Sequence, residues 1–95
     1  MIVVRDIFQA KYGRGNELVA LFKEANPIVK GYGRRILTDA SGPFFTVVVE
    51  TEVNSLADWE RLLKGAFADK DFAGWFERSL PLVESGRREF YNVEA

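Results

Sequence analysis

The sequence predicts an α+β domain in the order βαββαβ, with one four-stranded antiparallel sheet and both helices on one of its faces. Three observations predict it. Residues 42–53 read GPFFTVVVETEV, a punctuated run of Phe, Val and Thr that suits a pleated, half-buried surface. Residues 18–29 and 56–80 carry apolar side chains at helical spacing. Gly and Pro separate these stretches from further β-branched and aromatic runs near both ends.

The totals bound what the chain can be. Its 95 residues suit a single domain over 1–95. A chain of this size buries roughly 60–65% of its unfolded surface, enough for one modest core. Hydrophobic residues are 47% and charged residues 28%, the balance of an ordinary globular domain. A net charge of −1 removes the electrostatic case for nucleic acid or an anionic membrane as partner. The absence of cysteine excludes disulfides, thiolate metal sites and cysteine nucleophiles. The absence of histidine excludes imidazole catalysis, the usual zinc sites and His-ligated haem. No metal site and no cofactor are therefore expected. The opening MIVVRD lacks a cationic n-region, so no signal peptide is expected. No apolar run approaches the ~20 residues of a membrane span, and cytoplasm is the expected location.

In chain order, residues 2–10 (IVVRDIFQA) read as a strand. Val3, Arg5, Ile7 and Gln9 share one side and Ile2, Val4, Asp6 and Phe8 the other. Apolar groups on both sides predict a strand covered on both faces. Residues 11–15 (KYGRG) form a turn. Asn16 is the expected helix cap, and Leu18, Leu21, Phe22, Ala25 and Val29 form the buried stripe, with Pro27 ending or kinking the helix. Gly31-Tyr32-Gly33 breaks the chain. Residues 34–40 read as an edge strand, where Lys30, Arg34 and Arg35 discourage unwanted pairing. Ser41-Gly42-Pro43 turns into the strand of residues 42–53, whose odd positions meet a core. Asn54 or Ser55 caps the next helical stretch, with Asp58 in the place of a capping-box Glu. Its apolar register changes at Ala68-Asp69-Lys70, which predicts either one bent helix or two. Pro81 ends it, Ser85-Gly86 turns the chain, and residues 87–94 form the last strand.

Two βαβ halves joined by a hairpin make the split-βαβ, ferredoxin-like plan, with strands one and three central. That plan leaves one sheet face uncovered, carrying Phe44, Val48 and one face of strand one. A patch of this kind predicts sheet-to-sheet packing of two copies, a homodimeric α/β barrel with a partly polar interior.

The residues also carry a resemblance. Ser41-Gly42-Pro43, Leu56-Ala57-Asp58-Trp59-Glu60, Phe67-Ala68-Asp69, Phe72-Ala73-Gly74-Trp75-Phe76 and Val83-Glu84-Ser85-Gly86-Arg87-Arg88-Glu89 resemble, in order and spacing, the NIPSNAP-like branch of the dimeric α/β barrel superfamily. The resemblance covers about half of the chain. It departs in the first strand, where a Glu-x-Arg-x-Tyr type pattern followed by Pro-Gly leaves Arg5 and Gly13, with Phe8 and Tyr12 nearby. It implies the fold and the dimer more than an activity. Superfamily relatives include cofactor-independent monooxygenases, haem-degrading enzymes and chlorite dismutases, and the last two rely on a haem-ligating histidine that this chain lacks.

The candidate chemistry is polar and confined to a few positions. Glu50 and Glu52 point to one strand face, either as a carboxylate pair with one raised pKa or as a pair in which Glu50 simply meets an arginine. Glu50, Arg5 and Asp6 are the candidate catalytic residues. Tyr12, Arg35, Phe44 and Tyr91 are the candidate substrate-binding residues, able to orient a phenolic or carboxylate molecule. Trp59, Phe67, Phe72, Trp75 and Phe76 recur at helical spacing, which predicts core rather than a ligand-stacking box. Arg34-Arg35 and Arg87-Arg88 are offset by Asp39, Glu84 and Glu89 and read as solvated strand ends. The expected partners are a second copy and a small organic ligand. The expected functions are a small-molecule cavity of unassigned activity, a cofactor-independent monooxygenase or isomerase acting on an aromatic or polyketide-like substrate, or a non-catalytic binding module.

Overall fold

The structure, a computed structural model, describes residues 1–25 and 33–95. The chain runs β1 (Ile2–Ala10), α1 (Gly15–Glu24), β2 (Gly33–Thr38), β3 (Thr46–Val53), α2 (Leu56–Ala68), α3 (Phe72–Ser79), one 3-10 turn (Leu80–Leu82) and β4 (Val83–Asn92). The four strands form one antiparallel sheet in the order β2-β3-β1-β4. This is the α+β, ferredoxin-like plan, with the predicted strands in the middle and the arginine-bearing β2 at an edge. Lys30, Pro27, Val29 and the pair Gly31-Tyr32 lie outside the described residues.

Strand register assigns the two faces. β1 pairs with β3 so that Val4 faces Thr51, Asp6 faces Val49 and Phe8 faces Val47. Even positions of β1 and odd positions of β3 therefore share the face that the helices cover. Val4, Val47 and Leu18 are fully buried there. The covered face packs in two clusters. Leu18, Leu21 and Phe22 of α1 meet Val47, Val49 and Leu82 in one. Trp59 and Leu62 of α2 meet Val4 and Val53 in the other. The Cα framework measures 35 × 35 × 17 Å, the thickness of one sheet and one helical layer.

Three local features differ from the sequence reading, and one choice that it left open is settled. α1 begins at Gly15 and Asn16 lies inside it; Arg14 holds the cap position without a side-chain cap bond. β3 starts at Thr46, not near Phe44, because Phe45 takes φ 60° and breaks the extended run. The Gln9 side-chain amide donates to the Phe44 carbonyl at 2.5 Å and the Ala10 backbone amide to the Phe45 carbonyl at 3.0 Å, which hold the turn. The second helical stretch is two helices, separated where Asp69 leaves helical geometry at ψ 132°. Asp69 then starts α3, accepting from the Phe72 amide at its carbonyl and from the Asp71 amide at its carboxylate. Ser55 caps α2 as expected, accepting from the Asp58 amide at 3.2 Å, while the Asp58 carboxylate turns to Arg61.

The third difference is β4. Ser85-Gly86 is not a turn; β4 begins at Val83 and runs straight through it, with a register shift between Gln9 and Ala10. Gly86 stands opposite Phe8, and a Cβ there would sit 3.0 Å from the Phe8 ring. The glycine gives the ring room inside a strand. Gly65 is the opposite case, exposed within α2 with nothing within 4 Å of an added Cβ. The expected result is that Gly65→Ala raises stability by about 0.5–1 kcal/mol through helix propensity. Gly86→Ala should lower it by about 1 kcal/mol or more through overpacking. Chemical denaturation of the two variants checks both signs.

Candidate functional site

Arg5 and Asp6 are neighbours in sequence and lie on opposite faces of the sheet, because successive strand residues alternate. Each anchors a different polar arrangement.

On the face away from the helices, one charged row crosses all four strands. The register places Arg35, Glu50, Arg5 and Glu89 side by side. Arg35 donates to Glu50 Oε1 at 3.0 and 2.5 Å, and Arg5 to Glu50 Oε2 at 2.9 and 2.6 Å. Each carboxylate oxygen thus takes a guanidinium in a two-donor fork. The Arg5 guanidinium lies 5.3 Å from the Tyr91 ring centroid, and the Tyr91 hydroxyl donates to Glu89 at 2.8 Å. Arg87 reaches the same carboxylate at 3.4 Å. Val3, Ile7, Leu37 and Val48 flank the row, assigned to this face by register.

Glu50 is 5% exposed, covered by the two arginines that bind it. The Arg35 hydrogen bonds, with those of Arg5, hold its carboxyl below the ordinary value against the opposing effect of burial. A raised Glu50 pKa, one reading of the sequence, is thus not what the structure contains. Glu52 is exposed and makes no pair with it. Glu89 is also held low, first by the Tyr91 hydroxyl, and Tyr91 is pushed up by the same contact.

On the helix-covered face lies a cavity of about 490 Å³, a size suited to a small organic ligand. It draws its walls from both packed clusters, Phe22 and Val49 from one and Trp59 and Leu62 from the other. Phe67, Phe72, Trp75 and Phe76 complete an aromatic wall. Trp75 is oriented by its indole N–H, which donates to the Leu21 carbonyl at 2.7 Å. The polar lining is Asp6, Arg34, Thr51, Ser79, Ser85 and Arg88. Arg88 donates from Nε to Asp6 Oδ1 at 2.6 Å and lies 4.8 Å from the Trp59 ring centroid. Arg34 donates to the Phe22 carbonyl at 3.2 Å, in the last turn of α1, where the helix dipole favours a cation. Burial pushes the Arg34 guanidinium down from its ordinary value, and Asp6 opposes that shift.

The structure brings Glu50, Arg5, Arg35 and Tyr91 together, but in the open-face row. Asp6 reaches the cavity. Tyr12 and Phe44 reach neither: they are 81% and 69% exposed, and Tyr12 stands edge-on to Phe45 at 5.0 Å beyond the sheet end. Sequence reasoning missed Arg88, Arg34 and Thr51. Their signal was the acid at Asp6, placed among apolar neighbours on a core face. It also assigned the helical aromatics wholly to core, whereas Phe67 and Phe76 remain 62% and 48% exposed at the cavity wall. Among the described residues, no group of acidic side chains is arranged to hold a metal ion. No described helix is long and apolar enough to cross a membrane.

Glu50 generates a pH prediction. Its folded pKa lies below its unfolded value, so its contribution to stability is complete above the ordinary carboxylate value of 4.5 and declines as pH falls through the lower folded value. Glu50→Gln, which leaves both guanidiniums without their carboxylate, is expected to cost about 1–3 kcal/mol near neutral pH. That cost should shrink as pH falls below 4.5 and through the lower folded value, as followed by denaturant unfolding across a pH series.

No protein-family model matches the chain, and no curated protein matches it. Solved structures do. An uncharacterized NIPSNAP domain protein from Burkholderia xenovorans superposes with TM-score 0.89 at 18% identity, covering 100% of this chain and 96% of that one. A NIPSNAP family protein from Agrobacterium tumefaciens gives 0.83 at 22% identity, covering 96% and 90%. A candidate antibiotic biosynthesis monooxygenase from Chloroflexus aurantiacus gives 0.75 at 12% identity, covering 99% and 93%. The chain therefore has the ferredoxin-like fold of the NIPSNAP domain proteins.

Proposed function

We propose that the protein is a small cytoplasmic homodimer that binds a small organic molecule in the cavity between its sheet and its helices. One observation carries the binding reading: a 490 Å³ cavity with aromatic walls and a few convergent polar groups, set within a domain of only 95 residues. The dimer reading rests on the other face. Among the described residues that face has no helical layer, and its row of alternating charge, flanked by Val3, Ile7, Leu37 and Val48, can meet a second copy in offset register. The two faces then divide the work, one for assembly and one for the ligand.

A catalytic version of the same site is favoured by Asp6. A carboxylate facing an aromatic cavity can take a proton from a phenolic or enolisable substrate, as a cofactor-independent monooxygenase or isomerase requires. Likeness to the Chloroflexus structure supports it at the level of fold. A non-catalytic binding module remains the simpler form of the proposal, and Asp6→Asn separates the two. In the module it alters affinity alone; in the enzyme it abolishes turnover of a bound phenol while binding persists.

Titration with a panel of phenols, quinones and aromatic acids, followed by tryptophan fluorescence and thermal shift, is expected to give a saturable response. Ala66→Phe, which fills the cavity from α2, should remove that response while circular dichroism shows an intact fold. Silence across the whole panel overturns the binding reading. Light scattering is expected to give twice the chain mass of 10.8 kDa. Val48→Glu on the open face should halve it, and a monomeric parent protein overturns the dimer.

A further inference from the structure

We infer that the two copies of the proposed dimer meet across a two-fold axis that runs along the strands, so that Arg35 of one copy stands over Glu89 of the other and Arg5 over Glu50. This deepens the dimer reading above and rests on it. The order of charges across the open face carries the inference. From one sheet edge to the other the row reads Arg35, Glu50, Arg5 and Glu89, which is positive, negative, positive and negative. Such a row changes sign at every position when it is reversed. A two-fold along the strands, passing between β3 and β1, lays the row on its own reverse and sets opposite charges face to face at all four positions. A two-fold along the row keeps the order instead and sets Arg35 on Arg35 and Glu50 on Glu50. Like charges brought together across an interface exclude a wrong arrangement, and opposite charges fix the orientation of the right one.

The neighbouring row agrees. Register places Leu37, Val48, Ile7 and Arg87 side by side in it. On its own reverse, this row sets Val48 on Ile7 of the second copy twice over. It also lays the aliphatic stem of Arg87 along Leu37, leaving the charged head toward water. Leu37 is an exposed apolar side chain, and the Arg35 side chain is 70% exposed, so both edge groups are accessible to a second copy. The twist of packed sheets preserves the match. Aligned sheets cross at about 30°, which displaces an edge strand roughly 7 Å from the axis by about 3.5 Å, half the spacing of side chains on one face. Arginine and glutamate side chains span that displacement.

Sedimentation equilibrium of the parent protein, Arg35→Glu, Glu89→Arg and the double variant tests the axis. Each single reversal sets two like-charged pairs across the interface and is expected to weaken the dimer about tenfold or more. The double variant carries a row of two negative and then two positive charges, which again meets opposite charges on its own reverse. Its dissociation constant is expected to return to within about threefold of the parent value. A double variant no tighter than the single ones, in a dimeric parent, overturns the axis and leaves the dimer reading standing. A monomeric parent removes both. Where a reversal upsets the fold, cross-linking decides. The chain has no cysteine, so Arg35→Cys and Glu89→Cys each present one thiol. A short bis-maleimide is expected to join the two variants when they are mixed and to join neither to itself. Arg35→Cys that joins to itself as readily as to Glu89→Cys, or a mixture that does not cross-link, overturns the axis.

Discussion

The antiparallel register of β1 on β3 governs what each face of this sheet can do. Val4 opposite Thr51 and Phe8 opposite Val47 put the even side of β1 beneath the helices. A slip of one residue reverses every side chain, exchanging Asp6 for Arg5 and a covered apolar face for a charged one. The buried contacts of Val4, Val47 and Leu18 oppose that slip, and the Glu50 clamp opposes it from the other side. Glu50 can meet Arg5 on β1 and Arg35 on β2 in this register alone, so one carboxylate ties three strands together.

Charge is handled differently on the two faces. On the open face the row alternates in sign and each carboxylate is shared between donors. Such a row adds modest stability where it is wet, because exposed pairs are screened, and more where the carboxylate is enclosed as Glu50 is. On the covered face, Asp6 and Arg88 line the cavity as a partly exposed pair, with the Arg88 side chain 41% exposed, so solvent screens much of their attraction.

The sheet order, the two helical stripes and the cap at Ser55 were legible because each rests on local signals of spacing and residue type. Gly86 was not, since a glycine that relieves a ring and a glycine that turns a chain look the same until Phe8 is placed opposite it. Phe45 hid its left-handed backbone for a similar reason, as nothing in a Phe announces φ 60°. The cavity was hidden by periodicity itself: Phe67, Phe72 and Phe76 have the same helical spacing whether they fill a core or wall an opening. Glu50 and its arginines could be read as neighbours, while Asp6 and Arg88, 82 positions apart, required the β1–β4 register.

Ligand binding on the helix side of the sheet and assembly on the open side are the central proposal. The chain's two tryptophans, Trp59 and Trp75, both line the cavity, so their indole N–H signals report from it alone. A two-dimensional NMR titration with 2-naphthoate tests the assignment most directly. Saturable shifts of both indole signals are expected, with the Arg5 and Arg35 Nε–H signals unmoved. Shifts centred on Arg5 and Arg35, with the indoles silent, would contradict it.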